Sequence, residues 1–452
     1  MNSPVAVATP QVVVIGAGIA GLTAAHDLHR AGVAVMVLEA ESRPGGRMRT
    51  EPLVAGGQME RGAQFLTTAY RTLPRLIRET GLESSVRSVT ERTLLVTPAG
   101  QRVVNPRSPA SLLRAHVLSA AQIPAGLRAQ ARLRQLARAL PPDDLGAWAE
   151  RDELTGPQWA EQNLPASLTD RLVTPAVHGF YFQALAENSG ALLAAVTSMS
   201  ARPGHVATLD GGLGTLTTAL AAPLHIRYEM PVASVQVTGH RVSVATSEGP
   251  VHADAVIIAA NGAAALSMLP DAGLLERTLM TTPYSPGLLV GVTLNKALAA
   301  DELGGAYGVL LAPSDGEELA AIAVGSRTGS GREPVTAREV LTAMLAPPAA
   351  TRLRNASDGD VSTETVEMLG RYLPTAASRV VGTHVVHWDQ AMPHTPVGRA
   401  RDVARYRVGL APDARIVLAG DYLGFPWTDS AAFNGAWAAR HLLASLQPGT
   451  AR

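Results

Sequence analysis

The 452-residue chain contains no cysteine. That absence excludes disulfides, thiolate metal sites, iron–sulfur clusters, cysteine nucleophiles and any prosthetic group tethered through sulfur, and no metal centre is expected. Lysine is almost missing as well: of 38 basic residues, 37 are arginine, and Lys296 is the single lysine. Aromatic residues make up only 4%. No charge of one sign dominates, because 38 acidic residues balance the basic ones, so nothing global argues for a nucleic acid or other polyanion as partner. No run reaches the roughly 18 apolar residues that a membrane-spanning helix needs. The first residues, MNSPVAVATPQ, lack the basic segment of a secretory signal, and the expectation is a cytoplasmic protein. What the chain does have is length for about two to three domains and 46% hydrophobic residues to fill their cores.

The first informative stretch is Val12 to Ile15, a continuous β-branched run suited to a strand buried on both faces. Gly16, Gly18 and Gly21 follow in the pattern G-x-G-x-x-G, then a helical segment with Leu22, Ala25 and Leu28 in register and Gly32 as its stop. A second buried strand, VAVMVLEA, ends near Glu39, 18 positions after Gly21. The glycines have separate tasks. Gly16 permits a tight turn, Gly18 lets backbone approach a pyrophosphate, and Gly21 lets helix pack on strand. The helix N-terminus favours the phosphate charge, and Glu39 would accept hydrogen bonds from a ribose hydroxyl. A glycine fingerprint in this strand–helix–strand setting, with its acid, marks a dinucleotide site.

Directly after the second strand comes ESRPGGRMRT, with Gly45, Gly46 and Arg47. Here the chain resembles the flavin-dependent amine oxidase superfamily, which includes protoporphyrinogen oxidases and carotenoid desaturases. The resemblance implies FAD, with Arg47 near the pyrophosphate and flavin. Three further segments carry it. Glu60-Arg61-Gly62-Ala63-Gln64 is similar to the family's flavin-adjacent turn, with Glu60 where an aspartate is usual. EMPVASVQV places Val232 where a valine backbone meets the adenine. IVLAGDYLGFPWTDSAAFNGAWAARHLL ends a strand at Gly420-Asp421 and is expected to begin a helix near Gly435. With no cysteine to tether it, the FAD is expected to be non-covalent.

Because the matched segments lie near both ends and in the middle, the expected fold is α/β. A Rossmann-type FAD-binding domain would be assembled from discontinuous pieces, about 1–75, 205–265 and 385–452. An α+β substrate domain would take 76–204 and 266–384. LDGGLGTLTTAL looks like the link back into the first domain. From Arg92 to Pro142 there are eight arginines and no acidic residue. Within that stretch Leu133, Leu136, Ala137 and Leu140 share a helical face opposite Arg128, Arg132, Arg134 and Arg138. The favoured reading is a surface helix packed on its own domain; contact with a membrane surface is the alternative.

FAD chemistry asks for a substrate C–H held close to the flavin in a dry cavity, and no catalytic triad is expected or visible. Glu60 could accept a proton or anchor a substrate N–H, or tie down local backbone. His178, Phe180, Tyr181 and Phe182 cluster unusually for so aromatic-poor a chain; Tyr181 is a candidate pocket donor, and alternation implies that Phe180 or Phe182 is core. Trp388, in HWDQAMPHTPVG, is a candidate cavity wall, which Tyr422, Phe425 and Trp427 would complete. Lys296 is considered because many amine oxidases hold a lysine near the flavin, although that family position falls nearer Val290. Arg327 could reach a carbonyl or carboxylate of the substrate. The family's aromatic cage is missing, since Ser430-Ala431-Ala432 stand in its place. The expected activity is therefore oxidation of a C–H next to nitrogen, in an amine or amide of a small-molecule metabolite. The product is an imine or acyl-imine, and O2 takes the electrons; a tailoring role in secondary metabolism would fit. The rivals are porphyrinogen or carotenoid/isoprenoid carbon–carbon desaturation, and a flavin-binding scaffold or redox-neutral isomerase. The oligomeric state is left open.

Overall fold

Val12–Ile15 (β1) is buried at every residue, as its unbroken apolar run requires. Ile19–Arg30 (α1) follows, with Gly18 at its N-cap, and Gly32 adopts a positive φ just past its end. Val35–Leu38 (β2) then pairs with β1 in parallel. In the computed structural model, residues 10–97, 100–299, 301–313, 318–325 and 338–446 are described. The β1–α1–β2 unit is the centre of a five-stranded parallel sheet in the order His225–Arg227, β2, β1, Ala255–Ile258, Ile416–Leu418. Its strands come from three distant parts of the chain.

The terminal helix, Thr428–Leu446, begins seven positions before Gly435, earlier than the sequence suggests. Gly435 is not a start but a crossing point: a Cβ there would stand 2.0 Å from the Ala20 carbonyl oxygen of α1. Only glycine lets these two helices pack so closely over the sheet.

The second unit is a seven-stranded sheet in the order Val380–Pro393, Tyr284–Leu294, Glu339–Leu345, Leu319–Val324, Gly308–Leu311, Thr93–Thr97, Gly100–Val104. Its pairs are antiparallel except Gly308–Leu311 with Thr93–Thr97. The strand Val380–Pro393 runs through the expected boundary at residue 385. It pairs along its length with Tyr284–Leu294, so the start of the last piece is built into this sheet.

Helix Thr174–Tyr181 lies against the sheet. Helix Ile123–Ala139 buries Ala129 and Leu133 while Arg128, Arg132, Arg134 and Arg138 are exposed. Among the described residues no helix is long and apolar enough to cross a membrane.

Candidate active site

A continuous cavity of about 830 Å³ runs from the β1–α1 turn into the space beneath the seven-stranded sheet. At one end stand Gly16, Gly18, Glu39, Gly45, Gly46 and Arg47. Gly16 has φ +98°, and a Cβ on Gly21 would lie 1.9 Å from the Gly16 carbonyl oxygen. The turn therefore closes only with glycine at both places. Gly21 and Gly420 do not line the cavity; they shape the turns that do. Around Gly18 nothing lies within 4 Å of a built Cβ, and no side chain caps α1. The first-turn amides of a helix have no partners within the helix, so this open space suits a phosphate group. Glu39 accepts from the Ala17 N–H at 2.5 Å and from the Glu41 N–H at 2.9 Å. Its carboxylate is thereby fixed at the end of β2, beside Val232 on the same wall.

Arg47 and Asp421 join the pieces. The Arg47 guanidinium meets Asp421 at 2.7 Å and donates to the Ala391 carbonyl at 2.6 Å. Burial disfavours its charge, but Asp421 and Tyr284 hold its pKa above the ordinary arginine value. Tyr284 was not foreseen. Its hydroxyl donates to Asp421 Oδ1 at 2.7 Å and accepts from the Gly262 N–H at 3.3 Å. Burial, and then the Asp421 charge, push its pKa well up, so it stays a donor. Ala63 and Gln64 line the cavity next to Arg47, with the Ala63 N–H donating to the Arg47 carbonyl at 3.0 Å and Gln64 donating to the Gly62 carbonyl at 2.9 Å.

Toward the other end the walls become apolar and aromatic. Trp427 lies 6.1 Å from Tyr181, Tyr181 6.4 Å from Phe180, Phe180 5.3 Å from Phe65, and Phe65 5.8 Å from Tyr307. All five rings line the cavity. Burial raises the Tyr181 hydroxyl far above its ordinary range, and Tyr307 is pushed up to about 12 by the same cause. Both hydroxyls are therefore neutral at physiological pH. Phe180 and Phe182 sit at a helix end rather than on alternating strand positions, and Phe182 is left-handed at φ +56°. A non-glycine residue there stores backbone strain beside the cavity. Trp388 completes the wall, its indole N–H donating to the Arg61 carbonyl at 2.7 Å. Phe425 also lines the cavity, whereas Tyr422 is buried behind it.

Other sequence candidates fall elsewhere. Glu60 lies outside the lining: Thr50 donates to Oε2 and the Leu213 N–H to Oε1, both at 2.9 Å. Its carboxylate thus ties a short hairpin to the turn before helix Gly214–Ala221. Lys296 is exposed at the end of its strand; on that strand Leu289 reaches the cavity, while Val290 packs into the core behind. Arg327 lies outside the described residues. Asp429, also unforeseen, is fully buried and accepts from the N–H groups of Arg71, Thr72 and Leu73 at 2.7–2.9 Å. It caps helix Thr72–Glu79 from the first turn of the terminal helix.

The model of flavin-containing amine oxidoreductases matches residues 19–443. The chain belongs to that family. Putrescine oxidase of Kocuria rosea is 42% identical over 91 residues, covering 20% of this chain and 19% of that protein. Hydroxyneurosporene desaturase of Cereibacter sphaeroides is 55% identical over 58 residues, 13% and 12% of the two chains. The aligned segments thus span less than a third of these relatives' own lengths. In fold, the chain is similar to a putative protoporphyrinogen oxidase from Exiguobacterium sp. 255-15. The TM-score is 0.75 at 20% identity, covering 97% of this chain and 100% of that one. Membership makes the chain a flavoprotein oxidoreductase of α/β architecture.

Proposed function

We propose that the chain is an oxidase with non-covalently bound FAD that acts on a C–H next to nitrogen, in an amine or amide of a moderately large, mostly apolar metabolite. Gly16, Gly18 and Gly21 with the α1 N-terminus would hold the pyrophosphate, and Glu39 a ribose. Gly45, Gly46, Arg47, Ala63, Gln64, Val232 and the Gly420-Asp421 turn would hold the rest of the dinucleotide. When bound, the flavin supplies the two-electron acceptor for the substrate hydride and passes the electrons on to oxygen. Tyr181 and Trp388 shape the chamber, and the five-ring wall excludes water from it.

The observation that carries this reading is the state of the acids. Among the described lining residues there is no histidine or lysine, and all four carboxylates are engaged. Glu39 holds backbone amides, Glu41 pairs with Arg49 at 2.7 Å, Glu91 with Arg107 at 2.9 Å, and Asp421 with Arg47 at 2.7 Å. Oxidation next to nitrogen asks for no protein base, because the nitrogen lone pair completes the C=N bond as hydride leaves. Carbon–carbon desaturation also needs a proton taken from the neighbouring carbon, and among the described lining residues no carboxylate, histidine or lysine stands unengaged to take it.

The test is the visible spectrum of purified flavin-loaded protein under anaerobic addition of amines and amides, beside a porphyrinogen and a polyene. Bleaching by a nitrogen compound is expected. Bleaching only by the porphyrinogen or polyene would replace this reading with the desaturase, and no bleaching by any would favour a flavin-binding scaffold or isomerase.

A further inference from the structure

Six charged side chains line the cavity among the described residues. Glu39, Glu41, Arg47 and Asp421 belong to the glycine-rich end. Glu91 and Arg107 alone stand in the apolar chamber. We propose that Arg107, steadied by Glu91, is the recognition site for an anionic group of the substrate. The substrate class is then an apolar amine or amide carrying a carboxylate away from the nitrogen-bearing carbon. This rests on the oxidase reading above.

The pair is placed by the edge of the seven-stranded sheet. Thr93 and Val104 lie directly opposite each other on its last two strands, and both line the cavity. Glu91 precedes Thr93 by two residues and Arg107 follows Val104 by three, so both charges leave the hairpin's end together. Arg107 Nε meets Glu91 Oε1 at 2.9 Å, Nη1 donates to the Arg202 carbonyl at 2.9 Å, and the Arg107 backbone N–H donates to Asn105 at 2.9 Å. The first two contacts fix the guanidinium through Nε and Nη1, and among the described residues none bonds Nη2, which is left for a ligand. The two side chains are 25% and 18% exposed. An ion pair set into an apolar wall gives little net stability over apolar residues of the same volume, so packing alone does not call for charges here.

The outer surface beside this wall is basic. The run from Arg92 to Pro142, with eight arginines and no acid, supplies this wall through Val104, Leu112, Gln130 and Leu133. Its Arg114, Arg128, Arg132, Arg134 and Arg138 are exposed outside. A surface of that sign favours the approach of anions over cations. A carboxylate meeting Arg107 gains a charge-assisted hydrogen bond with matched geometry, while an ammonium seeking Glu91 finds it taken.

The experiment titrates flavin-loaded protein with octanoate and with 1-octanol, which share a tail and differ in charge, and follows the flavin difference spectrum. The wild type should bind octanoate at least tenfold tighter than octanol. Arg107→Gln should abolish that preference, Arg107→Lys should keep part of it, and Glu91→Gln should tighten octanoate binding severalfold by removing the competing carboxylate. Equal binding of the two probes by the wild type, or a preference that survives Arg107→Gln, overturns the proposal. If Arg107→Gln loses its flavin, the Glu91→Gln result decides, because weaker octanoate binding there has the wrong sign. No turnover is involved, so an octanoate preference without bleaching by any amine keeps the anion site and sinks the oxidase. Bleaching by amines without the preference does the reverse.

Discussion

Asp429 offers the sharpest test of the electrostatic reasoning, because two opposing effects meet on one carboxyl. Burial, followed by the neighbouring Asp143, raises its pKa to about 7, against the lowering influence of the Arg71, Leu73 and Thr72 N–H groups. With a folded pKa above the unfolded one, the native state binds more protons than the unfolded state between about pH 4 and pH 7. Stability contributed by the protonated group is therefore present at low pH and lost as pH rises through the folded pKa. From an ordinary aspartate value near 3.8 to about 7, linkage gives a loss of roughly 2.5 kcal/mol between pH 5 and pH 8. In Asp429→Asn the pH-dependent part vanishes, while the amide that replaces Oδ2 no longer accepts from Arg71, at about 1 kcal/mol. Urea denaturation at fixed flavin concentration should show the wild type more stable than the variant by about 1 kcal/mol at pH 5, and less stable by about 1.5 kcal/mol at pH 8. The opposite slope, with the wild type gaining on the variant as pH rises, would mean that three amide donors outweigh burial and keep the carboxylate ionised.

Gly21→Ala should yield protein that retains almost no flavin, since its Cβ would overlap a backbone oxygen that cannot move aside; the flavin-to-protein absorbance ratio measures this. Tyr284→Phe removes one of the two bonds holding Asp421 and leaves the Gly262 N–H unpaired. A flavin dissociation constant raised at least tenfold is expected by fluorescence titration, and an unchanged constant would contradict the placement of Asp421 against the cofactor. Glu60→Gln should lower the thermal midpoint by weakening the tie to Thr50 while flavin reduction by substrate stays within twofold. A large loss of rate would return Glu60 to the chemistry.

The parts of this molecule that could be read in the sequence are those whose causes are local. The β1–α1–β2 unit announces itself through a buried run, glycines at fixed offsets and an acid at the next strand's end, all within a few turns of chain. The chain-distant partners are silent. Nothing near Tyr284 points to Asp421, 137 positions away, and nothing near Asp429 points to the amides of Arg71 to Leu73, because a capping acid supplied from another helix has no sequence spacing to obey. Where the sequence misled, it did so through residues with two uses. Gly435 reads as punctuation, and its task is a helix crossing against Ala20. Phe180 and Phe182 read as alternation; Phe182 is indeed in the core, but the pair straddles the end of a helix rather than lying on a strand. Short apolar runs carry too few residues to separate the two periods.

Charge neutrality over the whole chain conceals a division made by the fold. The acids that reach the cavity are each matched, and all but Glu91 sit at the glycine-rich end. Part of the opposite wall is drawn from the stretch Arg92 to Pro142, which has no acid at all. A dinucleotide bound at the first end would bring its own negative charge to the helix N-terminus and Arg47. What enters the far chamber then meets an apolar surface, neutral hydroxyls and one ion pair, the Arg107 guanidinium steadied by Glu91. On the reading proposed above, that arrangement would select by hydrophobic fit and by anion recognition, and it would need no protein base, because the nitrogen lone pair completes the C=N bond as hydride leaves. The two proposals, oxidation next to nitrogen and selection of a carboxylate-bearing molecule, thus lean on the same segregation, although they fail under different measurements.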